Sequence, residues 1–365
     1  LSSDLQGIGL RLPEIGWSLA KKTAGLFEVN GQLSSPPVVE RLALTAPGLR
    51  AEGALTLKQD GGLDQVRFSS VAAGNWLNAP VTLIGRGKGR APEVRISGGW
   101  ADLAKRPDTA TSGGGVATGG SPISAALDRV QVTKSIALTR FRGDFTTGNG
   151  FSGVFSGLVN GKAPISGKGI PVSGRSGFEI NSDDAGAVIA AAGLMKTGHK
   201  GTLRMTLNPA ATSGEYDGAL DISNIRIREV PALAALLNTI SVVGLLEQMS
   251  GTGILFGEVE ARFRLTPDQL ILRRSSAVGA SMGLSMDGIY DFRSNKMDFQ
   301  GVLSPIYALN AIGSILTRKG EGLIGFNYGL RGSPENPRVQ VNPLSIFTPG
   351  MFREIFRRPA PEVSQ

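Results

Sequence analysis

The sequence predicts a mainly β protein: an elongated, curled antiparallel sheet of many short strands, with a few short apolar helices near the C-terminal end. Three observations lead there. Glycine supplies 51 of the 365 residues, roughly twice ordinary usage, and follows no three-residue period. Charged residues make up 19%, below the roughly 25% of an average domain, which argues against a bundle of charged amphipathic helices. Apolar and polar residues alternate along much of the chain, the mark of strands wet on one face and apolar on the other.

In chain order, Leu49, Ala51, Gly53, Leu55 and Leu57 share one face of a strand, with Arg50, Glu52, Thr56 and Lys58 on the other. Val94, Ile96, Gly98 and Trp100 repeat the pattern, as do Leu203, Met205 and Leu207, and then Tyr216, Gly218, Leu220 and Ile222. Val259, Ala261, Phe263 and Leu265 alternate with Glu258, Glu260, Arg262 and Arg264. Met282, Leu284 and Met286 lead through Arg293-Ser294-Asn295-Lys296 to Met297, Phe299, Gly301 and Leu303, which reads as a β-hairpin. The whole chain reads as about 16 to 22 strands, at no fixed spacing.

Four segments break this pattern. Asp183 to Lys196 opens with carboxylates, runs through alanines and closes on lysine, which suits a helix and its dipole. Glu229 to Met249 places Pro231 at a helix start, followed by Leu233, Leu236, Leu237, Ile240, Val243, Leu246 and Met249. Pro305 to Leu316 and Pro349 to Arg357 read as further helices. Val230 to Leu246 carries no charge, but its Pro231, Asn238, Thr239, Ser241 and Gly244 favour helices packed over a sheet rather than a membrane span. Residues 107–122, rich in Gly, Ser and Thr, read as a flexible loop. They divide a repetitive β-region, 1–106, from a C-terminal domain, 123–365.

Chemistry is sparse. With no cysteine and one histidine, His199, thiol catalysis, thiolate metal sites and His-based metal sites are excluded. Gly279-Ala280-Ser281-Met282-Gly283 matches a nucleophile-elbow pattern, but it lies among strands and His199 precedes the serine. Gly85-Arg86-Gly87-Lys88-Gly89 lacks the residues that complete a phosphate loop and reads as a basic turn. Asp183-Asp184 reads as a helix cap. Asp287, Asp291 and Asp298 surround one hairpin without the spacing of a calcium loop. Arg353, Arg357 and Arg358 read as the basic end of a last helix. We expect no enzyme, no cofactor and no metal. The net charge of +8 is a mild excess that reads first as solubility and otherwise favours anionic surfaces such as phospholipid headgroups or nucleic acid. No long basic run and few Tyr and Trp leave single-stranded nucleic acid poorly supplied with stacking platforms. Leu1 is not an initiator methionine, so the sequence reads as part of a longer chain.

The order of elements from about Gly177 to Arg358 resembles the C-terminal domain of the AsmA-like family, and most closely its YhdP branch, within the TamB/AsmA/YhdP superfamily. The resemblance rests on residues 180–186 (INSDDAG) opening a helix, the strand ending Leu220-Asp221-Ile222, and apolar helices after Val230-Pro231. It continues through the crossing Met249-Ser250-Gly251-Thr252-Gly253 and the close at residues 326–339 (FNYGLRGSPENPRV). Asn342-Pro343-Leu344-Ser345 and residues 347–358 extend it, and upstream Asp4-Leu5-Gln6-Gly7 with Leu12-Pro13-Glu14-Ile15-Gly16-Trp17 resembles the repetitive region preceding that domain. Residues 107–122 depart from it.

The resemblance implies an inner-membrane-anchored protein, most of it in the periplasm of a Gram-negative cell. Such a protein would carry phospholipids between inner and outer membranes through a taco-like apolar groove, with envelope proteins as further partners. Acyl chains would lie on Leu49, Leu55, Leu57, Val94, Ile96, Leu203, Met205, Leu220, Val259, Phe263, Met282, Leu284, Met286, Met297 and Phe299. Leu236, Leu237, Ile240, Ile312, Ile315, Phe352 and Phe356 would contact membrane. The alternative is a factor or scaffold for outer-membrane protein assembly, pairing client strands along its sheet edges.

Overall fold

The structure is a computed structural model. It describes the chain except residues 13–14, 108–119, 149, 194–196, 242, 306–318, 322–323, 348–357 and 360–365. The fold is mainly β and mostly antiparallel: strands take up 59% of the chain, alongside three short α-helices among the described residues. The chain divides into two compact units, residues 1–161 with 168–175, and residues 162–167 with 176–365.

The N-terminal unit holds β1 (Ser2–Ser3), β2 (Leu10–Leu12), β3 (Trp17–Leu19), β4 (Leu26–Gln32), β5 (Val38–Ala46), β6 (Leu49–Leu57) and β7 (Leu63–Ala73). It continues with β8 (Leu77–Ile84), β9 (Glu93–Ser97), β10 (Trp100–Asp102), β11 (Pro122–Gln131), β12 (Ala137–Thr146) and β13 (Ser152–Val159). From β4 to β9 each strand pairs antiparallel with the next. β11 then lies parallel to both β9 and β10, and β12 and β13 resume the antiparallel order. A parallel step requires a crossover connection, made here between β10 and β11. The strands on its two sides are direct neighbours.

One sequence expectation is corrected here. Val94 to Trp100 does not form a single alternating strand. Gly98 and Gly99 both take φ +75, a conformation open to glycine, and they shift the alternation by one residue. Trp100 is therefore exposed at 39% and Ala101 is buried at 5%.

β14 (Ala163–Val172) and β15 (Arg175–Ser182) contribute residues to both units. The C-terminal unit adds α1 (Ala185–Ala191), β16 (Thr197–His199), β17 (Thr202–Pro209), β18 (Tyr216–Arg228), α2 (Pro231–Thr239), α3 (Val243–Ser250) and β19 (Ile254–Leu265). It ends with β20 (Gln269–Val278), β21 (Met282–Asp291), β22 (Lys296–Pro305), β23 (Phe326–Gly332) and β24 (Pro337–Asn342). β17 to β24 form an unbroken antiparallel meander.

This meander is curled. β18 and β24 are six ladder steps apart, about 29 Å if the sheet were flat. α2 starts three residues after β18 ends yet packs against β24, and nine helical residues reach only about 14 Å. The helix fills the hollow of the curl. Leu233, Leu236 and Leu237 of α2 and Leu245 and Met249 of α3 join Ile225, Phe256, Met282 and Leu303 in one buried cluster.

Each helix has a local cause. α1 is capped by Asp184, whose carboxylate accepts from the Ala187 amide at 2.9 Å. Pro231 opens α2, where its missing N–H costs nothing. Ser241, at φ +58, ends the run, so the stretch Glu229–Met249 is two helices. Arg226 of β18 donates to the carbonyls of Thr252 and Gly253, and Arg228 to that of Gly251. These bonds fix the exit from α3, where carbonyls lack helical partners. The helices expected at 305–316 and 349–357 fall on residues outside the described set, apart from Pro305 at the end of β22.

The glycine excess has a packing reason. In several ladders a glycine faces an aromatic ring directly: Gly53 with Phe68, Gly143 with Phe155, Gly218 with Phe263, Gly288 with Phe299, and Gly301 with Tyr328. A Cβ on Gly218 would stand 2.2 Å from the Phe263 ring, so that ring lies across the bare backbone opposite it.

Candidate functional site

Residues directly opposite each other in a ladder share a face. In the N-terminal unit the register strings such residues into two apolar rows. One runs Val29, Leu42, Gly53, Phe68, Val81, Ile96, Ala125, Gly143, Phe155. The row beside it runs Gly31, Val39, Leu55, Val66, Leu83, Val94, Ile123, Phe145, Gly153. Every strand from β4 to β13 except the short β10 supplies one residue to each. Nine strands span about 38 Å across the sheet.

The other face is polar. Arg67, Thr82, Arg95, Ser124 and Asp144 form one continuous row. Arg41 lies 2.9 Å from Glu52 and Arg95 lies 2.6 Å from Glu93. The hydrogen bond to Glu52 raises the pKa of Arg41 further above its ordinary value. The rows therefore form a lane of apolar surface backed by charge.

The lane is graded. At the rim nearest the β5–β6 and β7–β8 turns it is packed shut: Leu49 is 4% exposed, Ala73 1%, Leu77 6% and Ala101 5%. Trp17, on the β2–β3 hairpin, seals this end and donates its indole N–H to the Pro47 carbonyl at 2.8 Å. Away from that rim Val66 is buried at 8%, but Leu55, Leu57, Phe68, Leu83, Val94, Ile96, Ile123, Phe145 and Phe155 are half-buried. Among the described residues, no α-helix belongs to this unit. Four phenylalanines gather at one end, with Phe145 centred 5.6 Å from Phe151 and 6.5 Å from Phe155, and Phe141 6.0 Å from Phe155.

The groove residues expected from the sequence divide accordingly. Leu55, Leu57, Val94 and Ile96 lie on the half-open lane, and Leu49 lies in its sealed rim. Leu203, Phe263, Met282, Met297 and Phe299 are buried in the core around α2 and α3, with Met205, Leu220, Val259, Leu284 and Met286 packed against them. They are held on the same kind of strand face, but helices occupy the space beside it. Of the expected membrane contacts, Leu236 and Leu237 are 4% and 0% exposed and Ile240 packs on the same core. These three are core residues because the curled sheet closes round α2. Ile312, Ile315, Phe352 and Phe356 lie outside the described residues.

The remaining motifs have structural placements. Gly279–Gly283 spans the turn between β20 and β21, closed by the Gly279 amide on the Met282 carbonyl at 2.9 Å. Residues 85–89 join β8 to β9, and Arg86 donates to the carbonyls of Ala91 and Gly120. Asp287 accepts from Gln300 at 2.9 Å, and Asp298 binds Arg331 and Arg358. Asp291 accepts from the amides of Arg293 and Ser294 and from the Gln269 side chain. These bonds, the Ser294 amide foremost, hold its pKa down to about 2. His199 is exposed on β16, opposite Arg226.

Most of the lane was not anticipated residue by residue. The ladders of β5, β7 and β12 carry register shifts between Val39 and Leu42, Phe68 and Val71, and Thr139 and Arg142. An extra residue breaks a period of two. The signal for Phe68 and Phe145 was present only as alternation on either side of an irregularity, while Val81 lies in the unbroken alternation Leu77, Ala79, Val81, Leu83.

No helix among the described residues is long and apolar enough to cross a membrane. No family model, no curated protein and no solved structure matches the chain.

Proposed function

We propose that the chain is a non-enzymatic conduit for phospholipids, working in the periplasm as the C-terminal part of an inner-membrane-anchored protein and passing lipid between the inner and outer membranes. The observation that carries this reading is the double apolar row across nine strands, half-open and backed by a charged face. An acyl chain lying across the strands would bury apolar surface at each step, and sliding by one strand exchanges like contacts for like. A surface that repeats in this way favours passage over tight retention. The headgroup would stay in water, so no specific polar site is needed along the lane. The resemblance to the AsmA-like family points the same way, and the net charge of +8 suits anionic membranes.

Lipid extraction and mass spectrometry on the full chain, purified gently from a cell envelope, test this. Several phospholipids per chain are expected, falling by at least half when Leu83→Asp and Ile123→Asp are combined. A stable, lipid-free chain would contradict the proposal. So would depletion in cells that leaves lipid distribution normal while particular outer-membrane barrels are lost, the outcome the assembly reading requires.

A further inference from the structure

On the polar face of the C-terminal unit, Arg331 of β23 and Arg338 of β24 stand directly opposite each other. Like charges in that position destabilise a ladder. They line a hollow of about 510 Å³ together with Lys296, Gly329, Ser333 and Asn336. Arg331 leans on Asp298 at 3.3 Å, but Asp298 is also held by Arg358 at 2.6 Å. Among the described residues, neither Lys296 nor Arg338 has an ion-pair partner. The nearby carboxylate of Glu335 is engaged by neutral donors, with Asn295 at 3.3 Å; its own backbone amide, the Ser333 hydroxyl and Asn295 lower its pKa. At Gly329 in this lining an added Cβ would meet nothing within 4 Å.

We propose that this hollow binds a phosphate group, with Arg331 and Arg338 donating to its oxygens and Lys296 supplying a third positive charge. Paired guanidinium forks match phosphate geometry, and a bound anion would relieve the opposition of the two arginines. The inference does not rest on the lane: the hollow lies on the polar side of a different unit, and lipid content reads the lane separately.

The test uses the full chain, inorganic phosphate by titration calorimetry, and sedimentation with phosphatidylcholine vesicles with and without phosphatidylglycerol. Binding to at least one phosphate-bearing probe is expected. It should weaken about tenfold or more in K296Q/R338Q, and comparably in G329L, which keeps every charge and fills the hollow. K296Q/R338Q and G329L should each melt no lower than the parent, which shows that the loss is not unfolding. Inorganic phosphate that binds and displaces the chain from vesicles would identify a free-phosphate site. Vesicle binding that phosphate does not compete would identify a lipid headgroup. The proposal is overturned if the parent binds neither probe, if both variants bind like the parent, or if G329L binds normally while the charge variant fails.

Discussion

The two units use the same strand alternation to opposite ends. In the N-terminal unit the apolar face carries Leu55, Leu83, Val94, Ile123 and Phe145 half-buried, and no α-helix of that unit is described. In the C-terminal unit the equivalent face carries Met282, Phe299 and Leu303 at 0%, 7% and 0% exposure, because α2 and α3 fill the curl. A one-sided strand therefore does not by itself say whether its apolar face is a surface for a ligand or one half of a core. The deciding residues lie elsewhere in the chain, in the apolar stretch between Pro231 and Ser250 that supplies the filling helices.

The sharpest way to break this contrast is to cut both faces equally. Leu237→Ala empties a fully buried site and should cost the C-terminal unit about 2–5 kcal/mol, read by denaturant unfolding. Leu55→Ala, on a half-open face, should cost about 1 kcal/mol or less. Equal losses would mean that the lane is as closed as the core. Gly301→Ala should also be costly, about 1–3 kcal/mol, since its Cβ would lie 1.9 Å from the Ser285 carbonyl oxygen on the central ladder.

Acid should separate the units next. Asp217 is held low by Arg264, Glu260 by Lys319, Asp298 by Arg358, and Asp291 at about 2 by the turn amides. All lie in the C-terminal unit. A carboxylate whose folded pKa lies below its unfolded value stabilises above the unfolded pKa, near 4, and loses that contribution as pH falls through the folded one. Melting followed from pH 5 to pH 2 should show the C-terminal unit weakening through this window, with a shallower decline in D291N. The smallest effect is expected from Asp184→Ala, which removes the α1 cap at a cost of about 1 kcal/mol, visible as faster amide exchange in α1.

The fold class was legible because period-two alternation, glycine excess and scarce charge agree. The hairpin of β21 and β22 and the strands β6, β17, β18 and β19 follow the alternation directly. β1, β2, β3, β10 and β16 are two or three residues long, too short to show any period, and the described residues hold 24 strands where about 16 to 22 were expected. What the sequence hid was tertiary. Nothing local in Leu236 or Leu237 says that a sheet curls round them. Nothing in Gly98-Gly99 says which way Trp100 will turn. The lane itself became visible only once register joined residues from nine strands, three of them with bulged ladders.

Site-specific photocrosslinking in the cell envelope tests the central claim most directly. A photoreactive residue is placed in the full chain at Leu55, Leu83, Val94 or Phe145, and for comparison at Met282 or Leu237, and adducts are identified by mass spectrometry. The account predicts phospholipid adducts at the four lane positions and none at the two core positions. Adducts absent from the lane, or equally frequent at Met282 and Leu237, would contradict it.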